Sequence, residues 1–414
     1  MLKGTIVNGT PLRGQVHPDF ARAVELFAGQ IPRSGKGGAA LCIYHHGEKV
    51  VDCWGGTRDD AGRPWQRDTL SLSYSTSKGV ASTLLHMCAD RGLLDYDAPV
   101  AEYWPQFAAG GKEAITVRQV LCHEAGLYDV RGMVDRAERM LDWQYMTEAL
   151  ADAVPRHEPG RAHGYHGFTY GWLVGEVIQR VTGKPFGEVL ASELVKPLGL
   201  DGCYVGVPAD QMKRRARLLL PAAFQQSGDA VRSLERTVRP LARLLSVAPL
   251  PIDLASLAAA LLPRGIEALD FNSKELAAAA IPSANGYFTA RSLARIYALL
   301  ANDGELDGVR LLRRETVWHA SEVQNRGIGR VIPVPMHWRL GYHRVPTLGI
   351  RLTNAFGHFG FGGSGAWADP DRELAMAMTV NSGIGTPFGD LRMVRLSSAV
   401  VRCADRRQPL QARA

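Results

Sequence analysis

The run Leu72-Ser73-Tyr74-Ser75-Thr76-Ser77-Lys78-Gly79-Val80 most constrains how this chain can fold, because Ser75 is the only serine followed three places later by lysine. A short apolar, β-leaning run precedes Ser75, and Val80, Leu84, Leu85, Met87 and Cys88 follow at helical spacing. The pattern predicts a helix opening at Ser75, with residues i and i+3 on one face. A hydroxyl and an amine then lie within reach of each other. A serine hydroxyl is a poor nucleophile until a neighbouring base takes its proton, and a partly desolvated lysine with a lowered pKa can do so. The helix N-terminus adds free N–H groups and a positive dipole where an oxyanion would form. These residues point to a serine hydrolase.

Two further stretches supply groups that such a serine needs. Tyr165-His166-Gly167 stands just before a helical pattern of Trp172, Leu173, Val174, Val177, Ile178 and Val181, and a tyrosine placed there can relay the serine's proton. Farther on, Gly357-His358-Phe359-Gly360-Phe361-Gly362-Gly363-Ser364 precedes strand-like runs around Ala366-Trp367-Ala368 and from Leu374 to Val380. S-x-x-K, then S-D-N or Y-x-N, then K-T-G is the working set of β-lactamases and penicillin-binding proteins. In its motifs and their order the chain resembles that superfamily, and within it the esterase branch, the family VIII carboxylesterases. The resemblance runs from residue 37 to residue 400 with a gap in the middle, and includes Arg91-Gly92-Leu93-Leu94-Asp95, Leu121-Cys122-His123-Glu124-Ala125-Gly126-Leu127, Pro197-Leu198-Gly199-Leu200 and Ala284-Asn285-Gly286-Tyr287-Phe288.

The resemblance implies an α/β (α+β) fold of the β-lactamase type, an antiparallel sheet flanked by helices with a helical domain inserted. Residues 1–80 and 289–414 would form the sheet domain, and 81–288 the mostly helical one, with a divergent insertion over 213–280. Carried over by position, it implies Ser75 as the acyl-forming nucleophile and Lys78 with Tyr165 as base and proton relay. The oxyanion hole would be the backbone N–H groups of Ser75 and Phe361. His358, His166, Gly360, Gly362 and Gly363 would meet the substrate, the glycines letting it lie against the backbone. No metal or cofactor is implied. The proton's resting place on Lys78 or Tyr165 stays open, since strongly interacting groups titrate as a set.

Two departures shape the expected activity. The lysine of K-T-G normally meets the carboxylate of a penicillin and the asparagine of Y-x-N its amide, whereas this chain has His358 and Gly167. An unpaired polar contact in a closed site costs about 1–3 kcal/mol, while an ester needs less recognition and has a better leaving group. The expected substrate is a small or medium carboxylic ester. Acyl transfer to an alcohol and weak β-lactam hydrolysis are alternatives within the fold. A non-catalytic binding or scaffold protein is a third, against which the intact Ser75, Lys78 and Tyr165 set argues.

With 414 residues, 46% of them hydrophobic, the chain can bury a large core. The net charge of +7 comes mostly from scattered arginines, with one small cluster at Arg402, Arg406, Arg407 and Arg413. No basic stripe interleaved with aromatics suggests a nucleic-acid partner. No stretch of about 18 clean apolar residues offers a membrane span. Residues 1–10 lack the apolar region of a signal peptide, so a cytoplasmic location is expected. Cys42, Cys53, Cys88, Cys122, Cys203 and Cys403 sit mostly in apolar runs without C-x-x-C and read as reduced core residues. His123-Glu124 is not a zinc motif, because the i+4 position is Leu127. No G-x-S-x-G elbow occurs.

Local patterns predict a hairpin of Ala39–Tyr44 and Lys49–Trp54, Thr116 as a helix N-cap with Gly126 past the end, and Gly183-Lys184-Pro185 between two helices. Farther on they predict a helix over Ser292–Leu300 and a last helix over Gly389–Cys403. The Leu- and Pro-rich insertion, with runs at 218–221, 241–250 and 254–262, is expected to form ordinary helical-domain core, the alternative being that part of it lines or covers the acyl pocket.

Overall fold

The computed structural model describes residues 2–32, 36–219, 253–382 and 391–407. The main sheet has eight strands: β1 (Leu2–Val7), β2 (Thr10–Val16), β3 (Gly38–His45), β4 (Glu48–Gly56), β5 (His343–Arg344), β6 (Phe356–Phe359), β7 (Gly365–Asp369) and β8 (Leu374–Val380). They lie in the order β1-β2-β4-β3-β8-β7-β6-β5, antiparallel throughout. The two ends of the chain meet at β3 and β8, where Tyr44 pairs with Ala375 and Cys42 with Ala377. This is the β-lactamase-like architecture, a mixed α/β fold with an antiparallel sheet between helices.

Period-two alternation decides what covers each face. Leu41, Ile43, Met376 and Met378 point to one side, where they pack with Phe27 of the helix Ala21–Ala28 and Leu396 and Val400 of the helix Leu391–Arg406. Cys42, Tyr44, Ala375 and Ala377 point to the other, into the core that holds Ile296 and Leu299 of the helix Ala290–Ala301. The alanines let that helix lie close across the sheet. Beyond it comes the helix Thr76–Asp90, buried continuously from Thr76 to Cys88 because it is packed between the sheet layer and the helix Tyr170–Thr182. A three-stranded sheet of Ser71–Leu72, Tyr287–Phe288 and Cys203–Tyr204 holds the start of the Thr76–Asp90 helix in place.

The expected hairpin is β3–β4, turned by His46 and Gly47, both at positive φ (53° and 71°). A second hairpin, β1–β2, was not anticipated, although its turn is Asn8-Gly9, again with both φ positive (47° and 78°). Two successive positive φ values match the twist of paired strands, which is why Asn-Gly is a strong hairpin signal. Thr116 caps a helix with a full capping box to Gln119, but that helix stops at Leu121. His123 then turns into left-handed backbone at φ 62°, and Gly126 belongs to the following loop. Gly183 closes the Tyr170–Thr182 helix in the left-handed conformation and Pro185 opens the next one. The six cysteines are buried and unpaired.

Of the expected insertion, the Leu241–Leu250 run lies outside the described residues, as do Arg413 and the start of the last expected helix at Gly389. The part that is described includes a helix at Leu254–Leu261, capped by Asp253. Among the described residues no helix is long and apolar enough to cross a membrane.

Candidate active site

The turn that presents Ser75 is held from several sides. Tyr74 adopts left-handed backbone at φ 46°, a conformation that costs a bulky residue of order 1 kcal/mol or more and persists only where the surroundings enforce it. Here Ser73 N–H donates to Gly286 O (2.9 Å), the Ser77 hydroxyl donates to Tyr74 O (2.5 Å), and Gly286 N–H donates to Ser77 Oγ (2.9 Å). Ser75 itself starts the helix, and Lys78 follows on the same face as expected.

Lys78 Nζ is 3.3 Å from Ser75 Oγ and bonds to the carbonyls of Gly167 (2.6 Å) and Ser283 (3.0 Å). Its side chain is fully buried with no carboxylate beside it, and burial holds its pKa well below the ordinary 10.5. Tyr165 places its hydroxyl 2.7 Å from Ser75 Oγ. Burial pushes the Tyr165 pKa up, with the Ser75 bond only partly opposing it, so the phenol keeps its proton at neutral pH. The Tyr165 ring is stacked on Trp338 (5.5 Å between centroids, 7° between planes) and met edge-on by His123 at 4.9 Å. Lys78 Nζ sits 4.8 Å from the centre of the same ring. The structure thus brings together the serine, lysine and tyrosine singled out from sequence.

His358 lies on β6, buried, with its ring centre 6.3 Å from that of Tyr165. Nδ1 is 3.1 Å from Phe359 O, while Nε2 has no partner among the described residues. Burial first, then the neighbouring His343 and Lys78, hold its pKa well below 6.5. A neutral imidazole stands at the position where the sequence resemblance would usually place a lysine. Gly360 is a matter of close approach, since a Cβ there would lie 2.2 Å from Ser73 O. It lets the end of β6 come against the serine turn. Phe361–Gly363 forms a short 3-10 turn, with Gly362 at φ 87° and Gly363 at φ 105°, which only glycine adopts freely. Among the described residues neither the Ser75 nor the Phe361 amide donates a hydrogen bond.

Gly167 has a packing reason as well. A Cβ at this position would lie 2.5 Å from Leu261 Cδ2 and 2.7 Å from Ala260 O. The end of the Leu254–Leu261 helix therefore occupies the space into which an asparagine would project, and Ala260 and Leu261 join Tyr128, Tyr165, Val331, Ile332 and Trp338 in an apolar cluster over the site. This is where the insertion meets the serine.

His166 requires a correction. It is fully buried, and its Nε2 accepts from Leu127 N–H (3.0 Å) while its Nδ1 faces His123 Nδ1 at 3.3 Å. Both ring nitrogens are taken up by the loop 123–127, so neither is left for a substrate. His123 Nδ1 also accepts from His166 N–H (3.2 Å). Sequence reading also missed Ser283, whose carbonyl helps hold Lys78, and Trp338. No local motif marks either one, because a backbone carbonyl and a stacking ring act through position alone.

An antiparallel sheet between helices, with Ser75, Lys78 and Tyr165 clustered where the layers meet, is the arrangement of the β-lactamase-like fold. The Beta-lactamase family model matches residues 22–399, and the chain belongs to that family. It is 40% identical over 376 residues, 90% of this chain and 83% of the other, to the esterase/beta-lactamase LipL of Mycobacterium tuberculosis strain H37Rv. The crystal structure of a family VIII carboxylesterase superposes with a TM-score of 0.82 at 34% identity, covering 95% of this chain and 99% of that one. A penicillin-binding-protein homologue from Caulobacter crescentus matches with the same score and identity over 95% of this chain and 100% of its own.

Proposed function

We propose that the protein is a serine carboxylesterase that works through an acyl-serine intermediate on small or medium esters. The observation that carries this reading is the setting of Lys78. A neutral amine has two N–H bonds and one lone pair. With the two N–H bonds directed to Gly167 O and Ser283 O, the lone pair is left for the Ser75 hydroxyl. Tyr165, protonated, donates to the same oxygen.

In the acylation step Ser75 Oγ bonds to the ester carbonyl carbon as its proton passes to Lys78. The carbonyl oxygen becomes an oxyanion between the Ser75 and Phe361 amides, which have no other acceptor among the described residues. As the intermediate collapses the C–O bond to the alcohol breaks, and the leaving oxygen takes a proton from the Lys78–Tyr165 pair. Water then attacks the acyl-serine, gives its proton to the pair, and releases the carboxylic acid as Ser75 is reprotonated. No net proton stays on the enzyme.

Neutral His358 has no charge with which to anchor a carboxylate, and Gly167 has no side chain with which to hold an amide. Each missing contact is worth about 1–3 kcal/mol, which predicts an ester preference of roughly 10²–10⁴ in kcat/KM over β-lactams. Slow β-lactam turnover is the second reading, favoured by the relative whose name carries both activities. The test compares p-nitrophenyl esters with a chromogenic cephalosporin on one preparation. Equal efficiency on the two would overturn the reading of Gly167 and His358 and make β-lactamase the leading function.

A further inference from the structure

Behind the wall of the serine site, away from the catalytic groups, lies a groove of about 810 Å³ whose lining includes Arg326, His337, Arg339, Arg344 and Arg351. Four arginines outnumber the acids of this lining. Glu322 is the one acid on the lining, and it is paired with His319 (3.3 Å). Among the described residues no carboxylate lies within ion-pair distance of Arg326, Arg339, Arg344 or Arg351.

Arg339 makes this more than a patch of surface charge. It is 1% exposed, and it donates to three carbonyls, Ser321 O (2.6 Å), His337 O (3.3 Å) and Thr353 O (2.9 Å). A guanidinium has five N–H groups, so donors remain beyond these three. Burial, then the charges of Arg326 and Arg344, pull its pKa down to about 10, still charged at neutral pH. Burying a charge without a counter-ion is costly and is retained where something supplies the opposite charge. Burial first, then the charges of Arg344, Arg326, Arg339 and Arg351, lowers the pKa of His337, whose backbone is at φ 49°.

The rest of the lining is mixed, with Trp318, Val345, Pro346, Ile350 and Leu352 beside the polar Ser321, Thr347, Thr353 and Asn354. We propose that this groove binds a soluble phosphate monoester carrying a short apolar group, the phosphate among Arg339, Arg344 and Arg351 and the apolar group along Trp318 and Ile350. A phosphate brings close to two negative charges and three acceptor oxygens, and guanidinium forks match it in a way a single carboxylate does not. The position bears on the active site, because Trp338 stands between His337 and Arg339 and stacks on Tyr165. The inference does not depend on which ester the serine cleaves.

The test is isothermal titration of the full chain with hexyl phosphate, alongside hexanoate. Arg339 is part of the packing, so the variant is Arg344→Gln with Arg351→Gln, both exposed. The control is Arg13→Gln with Arg22→Gln, which removes the same charge from β2 and the first helix, at the opposite end of the sheet order. The expected result is saturable binding of hexyl phosphate, weaker by at least about tenfold in the groove variant, unchanged in the control, and stronger than that of hexanoate. Three results would each overturn the proposal. One is no saturable binding, and another is equal binding to wild type and groove variant. The third is failure to bind hexyl phosphate together with sedimentation on phosphatidic-acid vesicles that the groove variant loses, which would make the ligand a lipid surface.

Discussion

Gly167→Ala probes the contact between the Leu254–Leu261 helix and the serine site. The added methyl carbon would meet Leu261 Cδ2 at 2.5 Å and Ala260 O at 2.7 Å. The leucine end can turn aside, but the carbonyl moves only if the helix end moves with it. Overpacking of this kind costs about 1–3 kcal/mol. With an unfolding entropy of about 2.1 cal/mol/K per residue, a chain of 414 residues converts that into a fall in Tm of roughly 1–3 °C. The Gly167 carbonyl also accepts from Lys78 at 2.6 Å. Any shift there loosens the lysine, so kcat should fall while KM for a small ester changes little. In the Leu261→Ala background the loss caused by Gly167→Ala should be smaller, because one of the two clashes is gone. Differential scanning calorimetry of the two single variants and the double variant, with p-nitrophenyl ester kinetics, measures both effects. An unchanged Tm for Gly167→Ala, or a loss that is the same with and without Leu261, would refute the packing account of this glycine.

Lys78→Ala and Tyr165→Phe should each lower kcat by roughly 10²–10⁴, the range for a positioned base, and the double variant should be little worse than either, since the pair acts as a unit; strictly additive losses would show separate roles. The pH dependence of kcat/KM should reach its plateau well below pH 10.5, because only the neutral amine can take the Ser75 proton and burial lowers its pKa; a rise continuing to pH 10 would show Lys78 to be unperturbed. Stability should fall on acidification below about pH 6.5. Burial holds His86 and His343 at about 4 and His166 at about 3, so each binds a proton on unfolding across that window and loses up to about 1.4 kcal/mol per pH unit. A Tm that stays level from pH 7 to pH 4 would contradict this.

What could be read from sequence follows from how local the physics is. Ser75 and Lys78 are three residues apart on one helix, so their meeting is a property of the helix alone, and the β3–β4 hairpin is equally local. Tyr165 and His358 are distant in sequence and were found through motif order, which the sheet and helix Tyr170–Thr182 then bring to the serine. The β1–β2 hairpin was missed although Asn8-Gly9 marks it. The missed contributors to the site are positional: the Ser283 carbonyl, Trp338 and the His123 ring act through burial and packing that single residues do not advertise. His166 was expected at the substrate because it sits inside Tyr165-His166-Gly167. The backbone at that point turns alternate side chains to opposite sides, Tyr165 toward Ser75 and His166 toward Leu127. Gly167 could be seen as a departure, but its reason, the end of the Leu254–Leu261 helix, could not. The arginines of the groove looked like scattered surface charge because Arg326, Arg339, Arg344 and Arg351 converge only in the fold.

The most direct test of the acyl-serine account is intact-protein mass spectrometry after reaction with a fluorophosphonate, followed by identification of the labelled peptide. The account predicts a single adduct, carried on Ser75 and absent from Ser75→Ala, with ester hydrolysis lost in step with labelling. An adduct on another residue, or ester hydrolysis retained by Ser75→Ala above a few per cent of the wild-type rate, would contradict it.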